Sequence, residues 1–310
     1  MRIVITGANS ALGRAILRCR SQPGAPPNEL VAAVRSERAA NEIRPLLEPR
    51  KNGFEGSSAV QISYDHPASL DAAFQGASAI VHLAGILVER PGSTYEQANV
   101  APTRSVVAAA KRCAAEKFVL VSATGADETS SNGYYRSKGQ AEALVRDSGL
   151  CYTILRAPLL LGGATEGAAA LKRNASRRSA KLIGGGRNFQ QPLHVDDLAR
   201  AAVAAAQPSV ASNRILDLVG PVSLPERELV ERAARALGHE VRVGSIPKGL
   251  LSFALSIRRR VSGTGFSVDV VDVITADTRL DPQPAASELG IRLTGIDEMI
   301  ESSLSQERTT

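Results

Sequence analysis

Short apolar, β-rich runs alternate with helical patterns along the first half of the chain. Ile3–Ile5, Leu30–Val34, Val60–Ser63, Ser78–Leu83, Phe118–Ser122 and Tyr152–Leu155 have the length and residue types of buried strands. Helical spacing fills the gaps, first through Leu12, Ile16 and Leu17. It resumes at Glu37–Leu47, Ser69–Phe74, Thr94–Cys113 and Lys138–Ser148. This alternation predicts the α/β class: a doubly wound parallel sheet of the Rossmann type, with ligands at the carboxyl ends of its strands. Later, Ile215–Val219 reads as a returning strand, and Ser223–Leu237 as an amphipathic helix stopped by Gly238.

Composition narrows the class. Apolar residues make up 44% of 310, with no Trp, so the core is built from Ala, Val, Leu and Ile, as suits a covered parallel sheet. The three cysteines, Cys19, Cys113 and Cys151, lack metal-ligand spacing and fit a reducing, cytoplasmic compartment, and no metal site is expected. No apolar segment is long enough to span a bilayer, and no signal peptide precedes the first strand. The net charge of +6 suits phosphorylated ligands. Sparse aromatics and the lack of a binding module argue against nucleic acid.

The opening strand leads into Thr6, Gly7, Ala8, Asn9, Ser10, Ala11, Leu12 and Gly13. A strand, a tight glycine turn and a helix starting at the turn form an anion site, because helix-start N–H groups and the dipole favour a diphosphate there. Gly7 permits the sharp turn, and Gly13 lets the helix lie close to the strand. Ser10 or Ala11 stands where a third glycine is common. Arg14 follows, facing either the diphosphate or solvent.

The end of the second strand bears on cofactor choice. An acidic residue there would bind the ribose hydroxyls of NAD; this chain has Arg35, then Ser36, with Arg38 close by. A guanidinium matches a 2′-phosphate, so NADP(H) is expected over NAD(H). A solvated arginine at a loop start is the plain alternative.

Tyr134 and Lys138 are four residues apart, so on a helix they share a face. A tyrosine acting as general acid must have its pKa of about 10 lowered, and a nearby ammonium does this. Ser122 and Thr124, at the end of the fifth strand, can offer a hydroxyl to a substrate oxygen.

With these residues in this order, the chain resembles the short-chain dehydrogenase/reductase superfamily, in its extended and atypical branches. Within it, His82–Glu89, Val121–Asp127 and Tyr134–Glu142 are similar to a subgroup that includes the nucleotide-binding accessory subunit of respiratory complex I. The resemblance implies that Asp65 lies near the adenine and that Val81, His82, Leu83, Ala84 and Gly85 lie beside the cofactor. It implies that Asn99 steadies the active-site lysine, and that Ser122, Tyr134 and Lys138 form the catalytic set. Leu155–Pro158 and Pro192–Asp197 would flank the substrate pocket. It further implies a dinucleotide-binding unit of residues 1–156, completed by about 194–220, and a small C-terminal substrate lobe of 157–193 and 221–310. Two departures are plain: the glycine turn lacks its central Gly, and Gly162–Glu166 lacks the subgroup's charged loop.

Other features have plain readings beside sharper ones. His82 reads as a packed strand-end histidine, with no carboxylate partner apparent. Asp196 and Asp197 fit a helix N-terminus. Lys172, Arg173, Arg177, Arg178 and Lys181 fit a solvated face. Gly249–Val261, apolar then Arg258-Arg259-Arg260, either packs on the lobe or makes a weak contact with an anionic membrane surface.

Two functions fit. One is an NADP(H)-dependent oxidoreductase acting on a small carbonyl or alcohol substrate, as monomer or homodimer; nucleotide-sugar epimerisation uses the same constellation. The other is a cofactor-binding accessory, assembly or sensing protein without turnover.

Overall fold

The computed structural model describes residues 1–19, 28–47, 56–83, 85–253, 255 and 267–305. In chain order, the elements of the larger unit are β1 (Arg2–Thr6), α1 (Ala11–Cys19), β2 (Glu29–Val34), α2 (Glu37–Ile43), β3 (Ser58–Gln61), α3 (Pro67–Phe74), β4 (Ala79–His82), α4 (Ala101–Arg112), β5 (Lys117–Ala123), α5 (Gly133–Arg146) and β6 (Tyr152–Ala157). The chain continues through β7 (Leu160–Leu161), α6 (Glu166–Ala175), β8 (Ser179–Ile183), β9 (Phe189–Gln190), β10 (Leu193–His194), α7 (Val195–Ala205), β11 (Arg214–Asp217), β12 (Leu224–Pro225), α8 (Glu226–Ala236) and β13 (Arg242–Ile246). Three further helices close the described chain: α9 (Val268–Ile274), α10 (Gln283–Glu288) and α11 (Ile296–Leu304).

Seven strands form one parallel sheet in the order β11-β6-β5-β4-β1-β2-β3. The strand order reverses between β1 and β4, so the crevice for a ligand opens at their carboxyl ends. Alternate side chains of each strand feed opposite cores. Ile3, Ile5, Leu30, Ala32, Val119 and Leu155 pack with α1 and α7. Val4, Val31, Ile80, Phe118, Leu120 and Ile154 pack with α3, α4 and α5. This two-sided burial is why the strands read as apolar runs rather than alternating ones.

Beyond β6 the short strands pair as β10 with β7, β12 with β9 and β13 with β8. Leu161, Leu171, Leu182, Leu229, Val230, Met299 and Ile300 give this region its own core. The two regions are tied at buried Asp197 on α7. Its carboxylate accepts from the Thr294 N–H and hydroxyl, each at 2.7 Å, and pairs with Arg200.

Two helices differ from the periodic reading for identifiable reasons. The helix expected at Lys138–Ser148 starts earlier, at Gly133. Asn132 caps it, accepting from the Tyr134 and Tyr135 N–H groups. The helix expected over Thr94–Cys113 is divided: Glu96–Val100 is one wide π-helical turn, and α4 begins at Ala101. Pro102 has no N–H to continue the regular ladder backward, which favours that wide turn.

Candidate functional site

The Thr6–Gly13 turn is built as a cradle. Gly7 has φ +75°, and a Cβ at Gly13 would stand 2.4 Å from the Ala8 carbonyl oxygen, so a side chain there would force the helix off the turn. The Ser10 hydroxyl accepts from the Gly13 N–H at 3.0 Å, and the Ser10 carbonyl accepts from the Arg14 N–H. The Ala11 and Leu12 N–H groups are then the first-turn donors without an intrahelical acceptor. Arg14 turns from this cradle. Its guanidinium pairs with Glu42 at 2.9 Å and donates to the Asn9 carbonyl, because α2 places a carboxylate within reach.

Arg35 and Asp65 line one cavity of about 660 Å3, at the carboxyl ends of β2 and β3, with Tyr64, Ser69, Gln97 and Pro102. Ser36 caps α2, accepting from the Ala39 N–H at 3.2 Å. Arg38 is mostly exposed and pairs with Glu42. Leu83 donates its N–H to the Thr6 carbonyl, joining the end of β4 to the glycine turn. Ala84 lies outside the described residues.

A second group gathers where β4, β5 and α5 meet. Lys138 is buried, and its ammonium donates to the Val121 carbonyl at 2.9 Å. Burial lowers its pKa to about 8, against an opposing pull from Glu142 one turn on. Asn99 is buried and fully engaged: Oδ1 accepts from the Ile86 N–H, while Nδ2 donates to the Ser137 hydroxyl and the Ile86 carbonyl. A Cβ at Gly85 would lie 3.2 Å from Asn99 Oδ1 and 3.5 Å from Lys138 Nζ, so the β4 exit runs directly over both groups. The Ser122 and Thr124 hydroxyls are buried beside them and hydrogen-bond to no described protein group. Buried hydroxyls without a partner are candidates to bond a ligand.

Tyr134 stands between two other tyrosines, its ring 6.0 Å from that of Tyr95 and 5.7 Å from that of Tyr135. Burial, followed by Tyr135 and Tyr95, holds its phenol above the ordinary value. This corrects the expectation that the neighbouring ammonium lowers it: desolvation dominates, and the Lys138 ammonium is directed to Val121. Tyr95 gives its hydroxyl to the Leu87 carbonyl at 2.9 Å, and the Tyr135 ring seats against Gly125. Neither was singled out from the sequence, where aromatic neighbours of Tyr134 carry no spacing signal.

Histidine 82 is buried and held by hydroxyls rather than by a carboxylate. Nδ1 lies 2.6 Å from Thr6 Oγ1, and Nε2 lies 3.1 Å from Thr103 Oγ1. Burial, reinforced by Lys138, lowers its pKa to about 3, so the ring is neutral. Asp196 and Asp197 sit in the first turn of α7, whose N-cap is His194. Among the described residues no group of three or more His, Cys, Asp and Glu side chains could hold a metal ion. No helix of the described chain is long and apolar enough to cross a membrane. Leu250 and Phe253 are exposed at 65% and 64%, and Arg258, Arg259 and Arg260 lie outside the described residues.

Comparison with known proteins agrees with this geometry. A family model described as NAD(P)H-binding matches residues 7–207. The chain is 27% identical over 245 residues to a ceramide reductase of Caulobacter vibrioides, covering 79% of this chain and 73% of that protein. It is 21% identical over 236 residues to the mitochondrial NADH-ubiquinone oxidoreductase 40 kDa subunit of Neurospora crassa, covering 75% and 62%. The fold superposes on the NADPH complex of the Escherichia coli quinone oxidoreductase QOR2 with a TM-score of 0.69, at 20% identity over 96% and 98% of the two chains. The glycine cradle, the Arg35 cavity and the orphaned hydroxyls at the β5 exit fit a pyridine dinucleotide laid across the switch point.

Proposed function

We propose that this chain, which belongs to the NAD(P)H-binding family, is an NADP(H)-dependent oxidoreductase acting on a carbonyl or alcohol carbon. Its relation to the short-chain dehydrogenase/reductase superfamily, in the extended and atypical branches, agrees with the motifs of the first half. The observation that carries the reading is the pair of buried, unpartnered hydroxyls, Ser122 and Thr124, on the same strand exit that receives the Lys138 ammonium one residue earlier.

When bound, the nicotinamide supplies or accepts the hydride. In the direction of reduction, Ser122 donates a hydrogen bond to the substrate oxygen, with Thr124 as a second donor. Tyr134 delivers a proton to that oxygen as negative charge develops on it. Its raised pKa makes the phenol a proton donor rather than a phenolate at neutral pH. Lys138 supplies the positive charge of the site, and Asn99 fixes the β4 exit at Ile86 above it. Arg35 would hold the 2′-phosphate in the cavity it shares with Asp65, which is the basis for preferring NADP(H).

A second reading, a dinucleotide-binding protein without turnover, is favoured by the direction of the Lys138 ammonium, held at Val121 rather than toward the phenol. Stopped-flow oxidation of bound NADPH by a panel of aldehydes, ketones and quinones separates the two. Hydride loss with any carbonyl substrate supports the oxidoreductase; tight NADPH binding with no oxidation supports the second reading.

A further inference from the structure

Five buried residues, Thr6, His82, Thr103, Asn99 and Ser137, are linked in series from the end of β1 to α5. Tyr64 lines the Arg35 cavity, and its ring stands edge-on to the His82 ring, with centroids 6.3 Å apart. The Thr6 hydroxyl meets His82 Nδ1 at 2.6 Å, and His82 Nε2 meets Thr103 Oγ1 at 3.1 Å. The Thr103 hydroxyl donates to the Asn99 carbonyl at 2.7 Å. Asn99 then donates to the Ser137 hydroxyl at 2.9 Å, and that hydroxyl donates to the Tyr134 carbonyl at 2.7 Å.

The proton positions follow from counting donors. A threonine hydroxyl has one hydrogen. That of Thr103 is committed to the Asn99 carbonyl, so at the next contact His82 must be the donor, through Nε2–H. A neutral imidazole then leaves Nδ1 bare, and Thr6 must donate to it. The hydrogens of Thr6, His82 and Thr103 therefore all point one way, toward the Asn99 carbonyl. A chain polarised in one sense strengthens each bond, and a buried break in it leaves a donor or acceptor unpaired.

We propose that His82 is a positioning residue: a neutral, single-tautomer relay that couples the Tyr64 wall of the nucleotide cavity to Asn99 and the catalytic helix. The relay joins β1, one residue before the Gly7 turn, to β4 and α4. Movement of the cavity wall is thus passed to the backbone carbonyl of the residue whose side chain fixes Ile86 and Ser137. Neither His82 nor Thr103 needs to touch a ligand for this. The purpose of the relay rests on the reading above that Asn99 and Lys138 serve the dinucleotide site; its existence does not.

The test is nitrogen-15 NMR of the full chain without ligand. The imidazole of His82 is expected to show one neutral, Nε2-protonated form, unchanged between about pH 5 and 8. Thr6→Val, which removes the donor to Nδ1, is expected to move the Asn99 side-chain amide resonances in the wild-type background and to leave them unmoved beside His82→Leu. Gln in place of His82, which keeps a donor and an acceptor, is expected to restore the response. If the Leu variant does not fold, Thr103→Val breaks the same chain one step on. An Nδ1-protonated ring, titration near pH 6.5, or an Asn99 response that survives the break would overturn the relay. NADPH titration adds a separate arm, with affinity expected to fall about tenfold (about 1.4 kcal/mol) in His82→Leu and to recover in His82→Gln. A wild-type protein that binds no NADPH would remove the proposed function and leave the NMR result to decide the relay.

Discussion

Arg156 grips Glu142 with two hydrogen bonds, 2.9 and 2.6 Å, inside the joint between β6 and α5, one helical turn beyond Lys138. The arginine also donates to the Ala126 carbonyl at 3.0 Å, and the carboxylate is almost wholly buried. The pair fastens α5 to the sheet. Arg156→Met would leave that carboxylate buried and uncompensated, at a cost of about 3 kcal/mol. The expected outcome is a lower midpoint in urea denaturation with an unchanged slope. A variant as stable as wild type would show that the pair is replaceable by packing alone.

Removing a single charge tests cofactor choice. The protein is expected to bind NADPH at least about tenfold more tightly than NADH, and Arg35→Ala to erase most of that difference. Tenfold is about 1.4 kcal/mol, within the range of one charge-assisted phosphate contact. Fluorescence titration with both nucleotides measures it, and equal wild-type affinities would refute the assignment of Arg35.

The catalytic assignments separate by what each variant retains. Tyr134→Phe is expected to abolish hydride transfer while leaving NADPH affinity nearly unchanged, since only the proton donor is lost. Lys138→Ala is expected to damage both. A Phe variant that keeps most of wild-type kcat would remove Tyr134 from the mechanism.

Acid sensitivity follows from His82. Its pKa is lowered by burial and by Lys138 to about 3, while the unfolded chain has an ordinary histidine near 6.5. Between those values the unfolded state binds the extra proton, so its folded-state penalty grows as pH falls. The His82 contribution to stability should decline by about 1.4 kcal/mol per pH unit across the middle of that window. Urea melts of wild type and His82→Gln measure it; the Gln variant should lose stability more slowly from pH 6 to pH 4. Parallel curves would place His82 outside the acid response.

The sheet was legible because its signals are local. Apolar runs mark β1, β2, β4, β5 and β6, and the glycine turn announces itself within a few residues. The second region was harder to read, since β7, β9, β10 and β12 are two residues each and carry no period. At the site, the positions of Ser122, Tyr134 and Lys138 were readable, but their surroundings were not. No carboxylate partner for His82 is apparent along the sequence. Its partners are hydroxyls supplied by β1 and α4, brought close only by the sheet order. For Arg14 the sequence leaves diphosphate and solvent both open; in the fold it pairs with Glu42, which α2 brings within reach.

The tie at Asp197 sets an order of assembly. The helical face made by α1 and α7 shares its core with Ala285 and Leu289, and the buried Asp197 carboxylate is satisfied by Thr294. During synthesis the glycine cradle therefore emerges long before the residues that complete its outer face. Until residues 285–294 arrive, the Asp197 carboxylate has Arg200 but lacks its two Thr294 donors, and the apolar flank of α1 and α7 lacks its final cover. Once β11 has emerged the sheet is complete while this seam is still open. The outer face of α1, the helix that starts at the glycine cradle, is therefore sealed by residues far from it in sequence.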